Sequence, residues 1–408
     1  MKFHRLQIAP LAAESLRAAG SSAGWLLEDL NALRVGLGDS AVTIELNPAV
    51  AVEEILQSHQ LEGDEGPSDS GLVAFGSLPF DRSAQGWLAV PEVVVTQYRD
   101  GKTFVTTAEG SRGLVALLDE INWEDQDQQN LRSVVFQPTA EEYAHNVTSA
   151  VDILRTGALQ KVVLARSVKG TVPTPIDTGS LANRLRKREP ACTIYSIPLQ
   201  QQRRYVGASP ELLVQRFGAQ VASNPLAGTT ALPANITSDD YSNWLLGSGK
   251  NLHEHKLLVD EVEQVLQEYF DDVKKDQQPS ILRLRTVAHL SSWVKAETPR
   301  STNPSVMTLL RSLHPTAAVC GIPRSVAYEL LTKLEQHDRG HYAGPVGWVD
   351  SEGNGQWWVG IRGVMTHGSE FEAWAGAGIV SESDPIAERE ETKDKLASVL
   401  TSILIDRV

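Results

Sequence analysis

The chain has 408 residues, a formal net charge of −14, 41% hydrophobic residues and 22% charged residues. This composition excludes a disordered chain, and the length predicts two domains or one large layered domain. Because no Lys/Arg cluster offsets the acidic charge, a nucleic-acid partner is excluded on electrostatic grounds. Two cysteines, Cys192 and Cys320, are too few for a disulfide framework or a cysteine-built zinc site, and we expect core thiols.

The sequence predicts a cytoplasmic protein without membrane contact. No apolar run reaches the roughly 18 residues that a membrane span needs. Gln7, Pro10 and Glu14 interrupt the N-terminal segment, so we do not expect a secretory signal. No long exposed apolar helix or edge stands out, which favours a monomer.

Residues 1–125 are predicted to form a β-rich N-terminal part. The pattern predicts a helix over Leu26 to Arg34, a strand over Ala41 to Leu46 and a surface loop at EGDEGPSDSG. The runs GLVAFGSLPF, GWLAVPEVVVTQY and KTFVTTA predict consecutive antiparallel strands. The polar segment from Asp119 to Asn130 is interpreted as a connector.

Residues 126–408 show helices separated by runs of two or three strands. A helix at AEEYAHNVTSAVDILRTGAL leads directly into the strand KVVLARSV, and a long helix is predicted over Lys250 to Phe270. This order favours an α/β (α+β) sandwich with antiparallel sheets and helices outside, rather than a Rossmann fold or a TIM barrel. We expect both parts to form one integrated structural domain.

The segment from Ala375 to Lys395 joins a predicted glycine turn, GAGI, to a helix with Asp384 as N-cap and Pro385 at its first position. Acidic residues follow in its first turns. They could complement the helix dipole, or they could hold a metal together with an anionic ligand. Both interpretations stay open at this point.

Glu254 lies at the edge of the apolar stripe of the long helix, so it either points inward or forms a rim pair with Lys250 or His255. If the long helix meets the C-terminal helix, then Glu254, Glu388 and Glu391 form an oxygen-rich site suited to Mg²⁺. The histidines of the HEH run are two residues apart on a helix and do not face one another, so we predict no zinc site.

Two ionisable residues lie in apolar strands. Lys161 opens KVVLAR, where it is desolvated or paired, and desolvation would make it a usable general base; alternatively, it reaches solvent at the strand end. Glu211 in SPELLV is either a turn residue or a buried carboxyl that can donate a proton. The turn NPLAGTT brings backbone N–H groups close to an anion, and His289, His314 and Arg362 are further possible polar contacts.

These segments resemble the chorismate-utilising enzyme family, in particular its isochorismate synthase branch. The resemblance covers about Gly71 to the C-terminus and rests on KVVLAR, GASPELL, NPLAGT, LHPTAAVCGIP, YAGPVGWVDSEGNG, VGIRG, AGAGIV and SDPIAEREETKDK. It implies a sandwich of two facing halves with a Mg²⁺-dependent active site between them. The expected reaction is addition of water at C2 of chorismate with loss of the C4 hydroxyl.

The resemblance also implies roles for single residues. Lys161 matches the general base and Glu211 the general acid, while Glu254, Glu388 and Glu391 match the Mg²⁺ ligands. The expected substrate contacts are Gly228, Thr229, His289, Ala318, Arg362, Gly376, Ala377, Gly378 and Lys395.

The residue type at the position of Ala318 differs between branches of the family. Amine-transferring relatives and salicylate synthases of this family typically have threonine at this position. By this resemblance, alanine favours release of isochorismate, and no glutaminase subunit is expected. A salicylate synthase and a catalytically silent carboxylate-binding relative are the alternatives. The chain departs from the family's S-E-K-D pattern at Gly249 and Asn251. The sequence favours neither menaquinone nor siderophore synthesis.

Overall fold

The computed structural model describes residues 1–46, 51–111, 113–119, 125–232, 238–301 and 303–405. In its N-terminal part the strands are β1 (Lys2–Ile8), β2 (Trp25–Glu28), β3 (Ala32–Leu46), β4 (Gln60–Gly63), β5 (Val73–Ser77), β6 (Gly86–Tyr98) and β7 (Thr103–Ala108). The helices there are α1 (Ala13–Ala23), α2 (Val52–Gln57) and α3 (Leu114–Asp119), with one 3₁₀ turn at Ser68–Ser70.

In the rest of the chain the helices are α4 (Ala140–Arg155), α5 (Thr178–Arg188), α6 (Ser238–Gly247), α7 (Gly249–Gln267), α8 (Val306–Leu313), α9 (Arg324–Leu334) and α10 (Pro385–Leu400). The strands are β8 (Ser133–Gln137), β9 (Lys161–Thr171), β10 (Thr193–Pro198), β11 (Arg204–Ser209), β12 (Leu212–Phe217), β13 (Gln220–Asn224), β14 (Leu226–Ala231), β15 (Lys274–Lys275), β16 (Ser280–Arg283), β17 (Val287–Ser291), β18 (Val294–Ala296), β19 (Gly321–Ile322), β20 (Pro345–Asp350), β21 (Gly355–Val359), β22 (Gly363–His367) and β23 (Glu370–Ile379).

The strands form an extensive, mainly antiparallel sheet that joins both parts of the chain. β5, β6 and β7 pair consecutively as predicted, whereas β1 and β4 are parallel. β2 pairs with β10, and β5 pairs with β20, so hydrogen bonds link the N-terminal strands to the C-terminal ones. A smaller sheet consists of β14, β17 and β16.

Helices cover the two largest hydrophobic cores of the described residues. α4, α7, α8 and α9 contribute to one core with β9, and α1, α5 and α10 contribute to the other. This layered arrangement confirms the predicted α/β (α+β) sandwich with antiparallel sheets and helices outside. No helix in the described ranges is both long and apolar enough to cross a membrane. Cys192 and Cys320 are buried free thiols, as predicted.

The predicted helix over Leu26 to Arg34 is wrong. This segment contains β2 and the start of β3, which pair antiparallel with each other, while β2 also pairs with β10. Leu26 and Leu27 are both buried, on opposite faces of the strand. A strand covered on both faces shows no polar alternation and therefore resembles a short helix in sequence.

Other boundaries shift. The strand predicted at Ala41 belongs to the longer β3, and the long helix ends at Gln267 rather than at Phe270. The predicted loop EGDEGPSDSG is mostly exposed, but Asp69 is buried, where it accepts a hydrogen bond from Arg34. Of the predicted connector, residues 120–124 lie outside the described residues.

A buried ion pair fixes β9 against the turn before α9. Arg339 donates to Glu335 at 2.8 Å and to the carbonyl oxygens of Val163 and Val319 at 2.7 Å each. Glu335 in turn accepts from the amide of Ala165 at 2.8 Å. The pair therefore satisfies backbone groups near the start of β9.

We predict that Arg339→Met destabilises the protein by about 3 kcal/mol or more, because it leaves the buried Glu335 carboxylate without its counter-ion. The midpoint of urea unfolding measures this change. The matched control is Lys256→Met, at an exposed lysine, for which a change within about 0.5 kcal/mol is expected. Equal midpoints for both variants would contradict the assignment.

Candidate active site

A single cavity collects most of the residues that the sequence predicts as functional. It opens where β9 and β23 meet the small sheet and the N-terminal turns of α7 and α10. The predicted residues that line it are Glu211, Gly228, Thr229, Glu254, His289, Ala318, Arg362, Gly376, Gly378, Glu391 and Lys395. Lys161, Ala377 and Glu388 adjoin these lining residues, although the side chain of Ala377 belongs to the hydrophobic core.

Lys161 and Glu254 form the innermost ion pair of the cavity. Lys161 is the first residue of β9, its side chain is only 1% exposed, and its Nζ lies 3.0 Å from Oε1 of Glu254. The lysine is thus paired rather than solvated. Burial would raise the pKa of Glu254, but Lys161 and two further lysines hold that pKa below its ordinary value.

Gly378 makes this ion pair possible. It lies opposite Val163 in the antiparallel pairing of β23 with β9. A Cβ atom at this position would stand 2.1 Å from Oε1 of Glu254 and 3.0 Å from Cε of Lys161. Any side chain here would displace one of the two charged groups, so the glycine allows the β23 backbone to lie this close to the ion pair.

The glycine-rich segments are strands, and both predicted turns are wrong. The GAGI segment belongs to β23, paired with β9. NPLAGTT spans the end of β13 and most of β14, where a bulge between Ala227 and Thr229 places Gly228 at φ 72°. The glycines allow a bulge and close packing inside sheets, which sequence patterns do not distinguish from turns.

Glu211 occupies the opposite electrostatic environment. It lies between β11 and β12 and is buried, and it forms no salt bridge with a lysine or arginine in the described part of the chain. Burial raises the pKa of its carboxyl to about 7, although the amide of Leu226 and the charge of Lys161 lower it in part. A carboxyl with this pKa can hold and release a proton near neutral pH.

Three glutamates pair with three lysines in and beside the cavity. Besides the Lys161–Glu254 pair, Lys250 donates to Glu388, and Lys395 donates to Glu391 at 2.6 Å. Burial and the neighbouring Glu391 raise the pKa of Glu388, which Lys250 offsets in part. The helices α7 and α10 therefore do meet, as the proposed oxygen-rich site requires.

The donor set fits Mg²⁺ chemically. Glu254, Glu388 and Glu391 offer carboxylate oxygens of the kind that Mg²⁺ binds, and each is paired with a lysine. Among the residues that the structure describes, no three acidic, histidine or cysteine side chains are already grouped around one point. His255 of the HEH run bonds Ser292 at 2.8 Å instead.

Arg362, His289 and Thr229 form a polar chain across the cavity. Arg362 donates to Nε2 of His289 at 3.0 Å, and Nδ1 of His289 lies 3.1 Å from Oγ1 of Thr229. Since arginine can only donate, Nε2 accepts and the ring proton sits on Nδ1. Burial and the adjacent Arg362 lower the pKa of His289, so the ring is neutral.

Arg362 adopts a left-handed backbone with φ 53°, a conformation that costs energy for a residue with a side chain. Its guanidinium is buried and also donates to Ser398 at 3.3 Å. Lys395 donates to the carbonyl oxygen of Gly376 at 2.9 Å. Two cationic side chains thus face the cavity beside the β23 backbone, an arrangement that suits an anionic ligand.

Two aromatic lining residues escaped the sequence analysis. Tyr342 and Trp374 stack with ring centroids 5.5 Å apart and form one wall. Tyr342 begins the motif YAGPVGWVDSEGNG, and Trp374 directly precedes the motif AGAGIV. The signal that could have found them is an aromatic residue two positions before a glycine of a site motif. His314, by contrast, lies elsewhere and bonds the carbonyl oxygen of Phe80 at 3.1 Å.

The chain is similar to known proteins over most of its length. Residues 49–404 match the family model of chorismate binding enzymes. Isochorismate synthase DhbC of Bacillus subtilis is 33% identical over 368 residues, which cover 88% of this chain and 86% of that protein. Isochorismate synthase EntC of Escherichia coli is 32% identical and covers 80% of each chain. The crystal structure of DhbC from Bacillus anthracis superposes with a TM-score of 0.80 at 29% identity, over 96% of this chain and 98% of that one.

The raised pKa of Glu211 predicts a pH dependence of stability. The folded protein keeps this proton to about pH 7, whereas an unfolded glutamate releases it near pH 4.3. The stability that this group contributes is therefore complete below the unfolded pKa and is lost as the pH rises through the folded pKa. Glu211→Gln should flatten the decline of the melting temperature between about pH 5 and pH 8.

Scanning calorimetry at a series of pH values measures this effect. Glu390→Gln, at an exposed carboxylate paired with Arg389, is the control and should keep the slope of the unaltered protein. An unchanged slope in Glu211→Gln would contradict a proton held near neutral pH. Infrared absorption of a protonated carboxyl at pH 6, lost in the variant, is the independent readout.

Proposed function

The chain belongs to the chorismate-binding enzyme family, and we propose that it is an isochorismate synthase. In the proposed reaction, water adds at C2 of chorismate, the ring double bonds shift, and the C4 hydroxyl departs as water, so that the composition of the substrate is conserved. The observation that carries this proposal is the placement of a lysine and a glutamic acid in opposite environments beside one cavity.

Lys161 is the proposed base and Glu211 the proposed acid. Lys161 takes a proton from the attacking water, and Glu211 gives its proton to the departing hydroxyl. The raised pKa of Glu211, about 7, supports the second role because the carboxyl still carries its proton near neutral pH. An ammonium cannot accept a proton, so the first role requires Lys161 to give up its proton before attack.

Glu254, Glu388 and Glu391 are proposed to hold Mg²⁺, which when bound supplies positive charge for the ring carboxylate of chorismate. Glu254, which is paired with Lys161, would be the metal ligand next to the proposed base. Arg362, Lys395 and the backbone at Gly376 to Gly378 are proposed to bind substrate carboxylates, since both cations face the cavity.

Ala318 supports water addition with release of isochorismate. It lines the cavity, and its methyl group can neither donate nor accept a hydrogen bond. The related aminating and salicylate-forming enzymes typically carry threonine at this position. A threonine would add a hydroxyl group beside the reacting ring.

Chorismate as the substrate and the absence of a glutaminase subunit follow from the same proposal. Cytoplasmic location and a monomeric state remain predictions.

The direct test is a chromatographic assay of the purified protein with chorismate and Mg²⁺, in which we expect an isochorismate peak. Lys161→Ala and Glu211→Gln should each lower kcat by about 10²- to 10⁴-fold, because each removes one proton transfer. The control is Lys169→Ala, on the same strand as Lys161 but with a side chain 55% exposed, which should leave kcat unchanged.

An unchanged chorismate peak would contradict the proposal. Salicylate fluorescence in the same mixture would favour the salicylate synthase, and a strict need for ammonia would favour an aminating enzyme. Tight chorismate binding without turnover, measured by calorimetry, would identify a catalytically silent relative. Circular dichroism of Lys161→Ala separates loss of chemistry from loss of folding.

The metal assignment makes a separate prediction. Glu391→Gln removes one negative charge from the proposed ligand set, and the Mg²⁺ concentration for half-maximal activity should rise by roughly tenfold. Glu390→Gln is the matched control, since Glu390 is the adjacent residue on α10 and is paired with Arg389. If both variants needed the same Mg²⁺ concentration, Glu391 would not be a ligand.

A further inference from the structure

Lys250 is a cation placed directly on the proposed metal ligands. It is the second residue of α7, and its ammonium donates to Oε1 of Glu388. The Glu388 side chain is 2% exposed, whereas that of Lys250 is 33% exposed. Glu388 together with Glu254 and Glu391 keeps the pKa of Lys250 above its ordinary value, against the effect of burial. All three carboxylates therefore act on this ammonium.

The position of Lys250 is unfavourable for the helix itself. The N-terminal end of a helix is positive, so a lysine in the first turn is disfavoured. The first turn of α7 contains no acidic residue that would compensate. The compensating carboxylate comes from α10, whose own first turn contains Glu388. Within α7 the favourable partner is Glu254, one turn later, which is itself paired with Lys161.

The three paired lysines differ in how easily each can move away from its carboxylate. The Lys161 side chain is 1% exposed and that of Lys395 is 15% exposed, and Lys395 is also bonded to the carbonyl oxygen of Gly376. Lys250, which is one-third exposed, can swing its ammonium into water without crossing the protein interior. Of the three paired lysines, Lys250 can therefore break its ion pair most easily.

We propose that Lys250 is a tethered counter-cation that neutralises Glu388 in the metal-free protein and competes with Mg²⁺ for it. This inference rests on the proposed metal site. Two consequences follow. Without metal, Lys250 keeps the buried Glu388 beside the partly exposed Glu391 despite their mutual repulsion. With metal, its ammonium must leave Glu388, so part of the binding free energy of Mg²⁺ is used to displace it. Lys250 is therefore a positioning residue that sets metal affinity.

The test is titration of the full chain with MgCl₂ in a calorimeter, without chorismate. Lys250→Met keeps the length of the side chain but removes its charge. We expect this variant to bind Mg²⁺ roughly fivefold more tightly, which corresponds to an ion pair of about 1 kcal/mol. In the absence of metal its melting temperature should fall, because Glu388 loses its partner, and Mg²⁺ should raise it by more than in the unaltered protein.

Lys256→Met is the matched control. Lys256 lies on the same helix, its side chain is 70% exposed, and it pairs with Asp260 away from the cavity. This control should bind Mg²⁺ like the unaltered protein. A second variant, Lys250→Arg, keeps the charge and should not tighten Mg²⁺ binding, so the comparison of Lys250→Arg with the unaltered protein remains informative if Lys250→Met does not fold.

Weaker or unchanged Mg²⁺ binding by a folded Lys250→Met would overturn the inference, as would tighter binding by Lys250→Arg. Absence of Mg²⁺ binding to the unaltered protein would overturn the inference together with the metal site. Because the titration contains no chorismate, failure of the proposed catalytic reaction is detected separately, in the product assay.

Discussion

The site depends on one close approach, that of the β23 backbone to the ion pair between Lys161 and Glu254. The space that a side chain at Gly378 would occupy is filled by a carboxylate oxygen and a lysine methylene group. This contact sets the distance between α7, which carries Glu254, and the start of β9. A buried pair of this kind tolerates no loss of one partner, because the remaining charge would be left without compensation in the interior.

Charge balance extends from this pair to the rest of the cavity. Each of the three glutamates is matched by one lysine from a different position in the chain. Glu211 stands apart from this set, and its pKa rises to about 7 because burial dominates over its distant cations. The same cavity therefore contains Glu254, whose pKa stays below its ordinary value against the effect of burial because Lys161 is close, and Glu211, which keeps its proton. This separation provides two proton-transfer groups with different tasks.

Sequence patterns predicted those features that depend on neighbours along the chain. The N-cap Asp384 and Pro385 at the start of α10 follow from local backbone preferences, and the structure has both. Lys161, Glu211 and Glu254 were singled out because charged residues stand out in apolar segments. The resemblance to a family extended this to the cavity, where most of the expected residues gather.

Features that depend on partners far away in sequence were not predictable. Leu26 lies in a strand because β3 and β10 cover it, and the glycines of GAGI serve close packing instead of a turn. Lys161 and Lys250 pair with Glu254 and Glu388, which lie far away in the sequence. Tyr342 and Trp374 form a wall only because the fold stacks them.

The central claim is that water supplies the new C2 hydroxyl while the C4 hydroxyl leaves, with Lys161 and Glu211 on the two proton transfers. Turnover of chorismate in ¹⁸O-labelled water, followed by mass spectrometry of the product, tests it most directly. The account predicts isochorismate that carries a single ¹⁸O atom at C2. Unlabelled isochorismate would mean that the original hydroxyl migrates within the substrate, and that result would contradict the account.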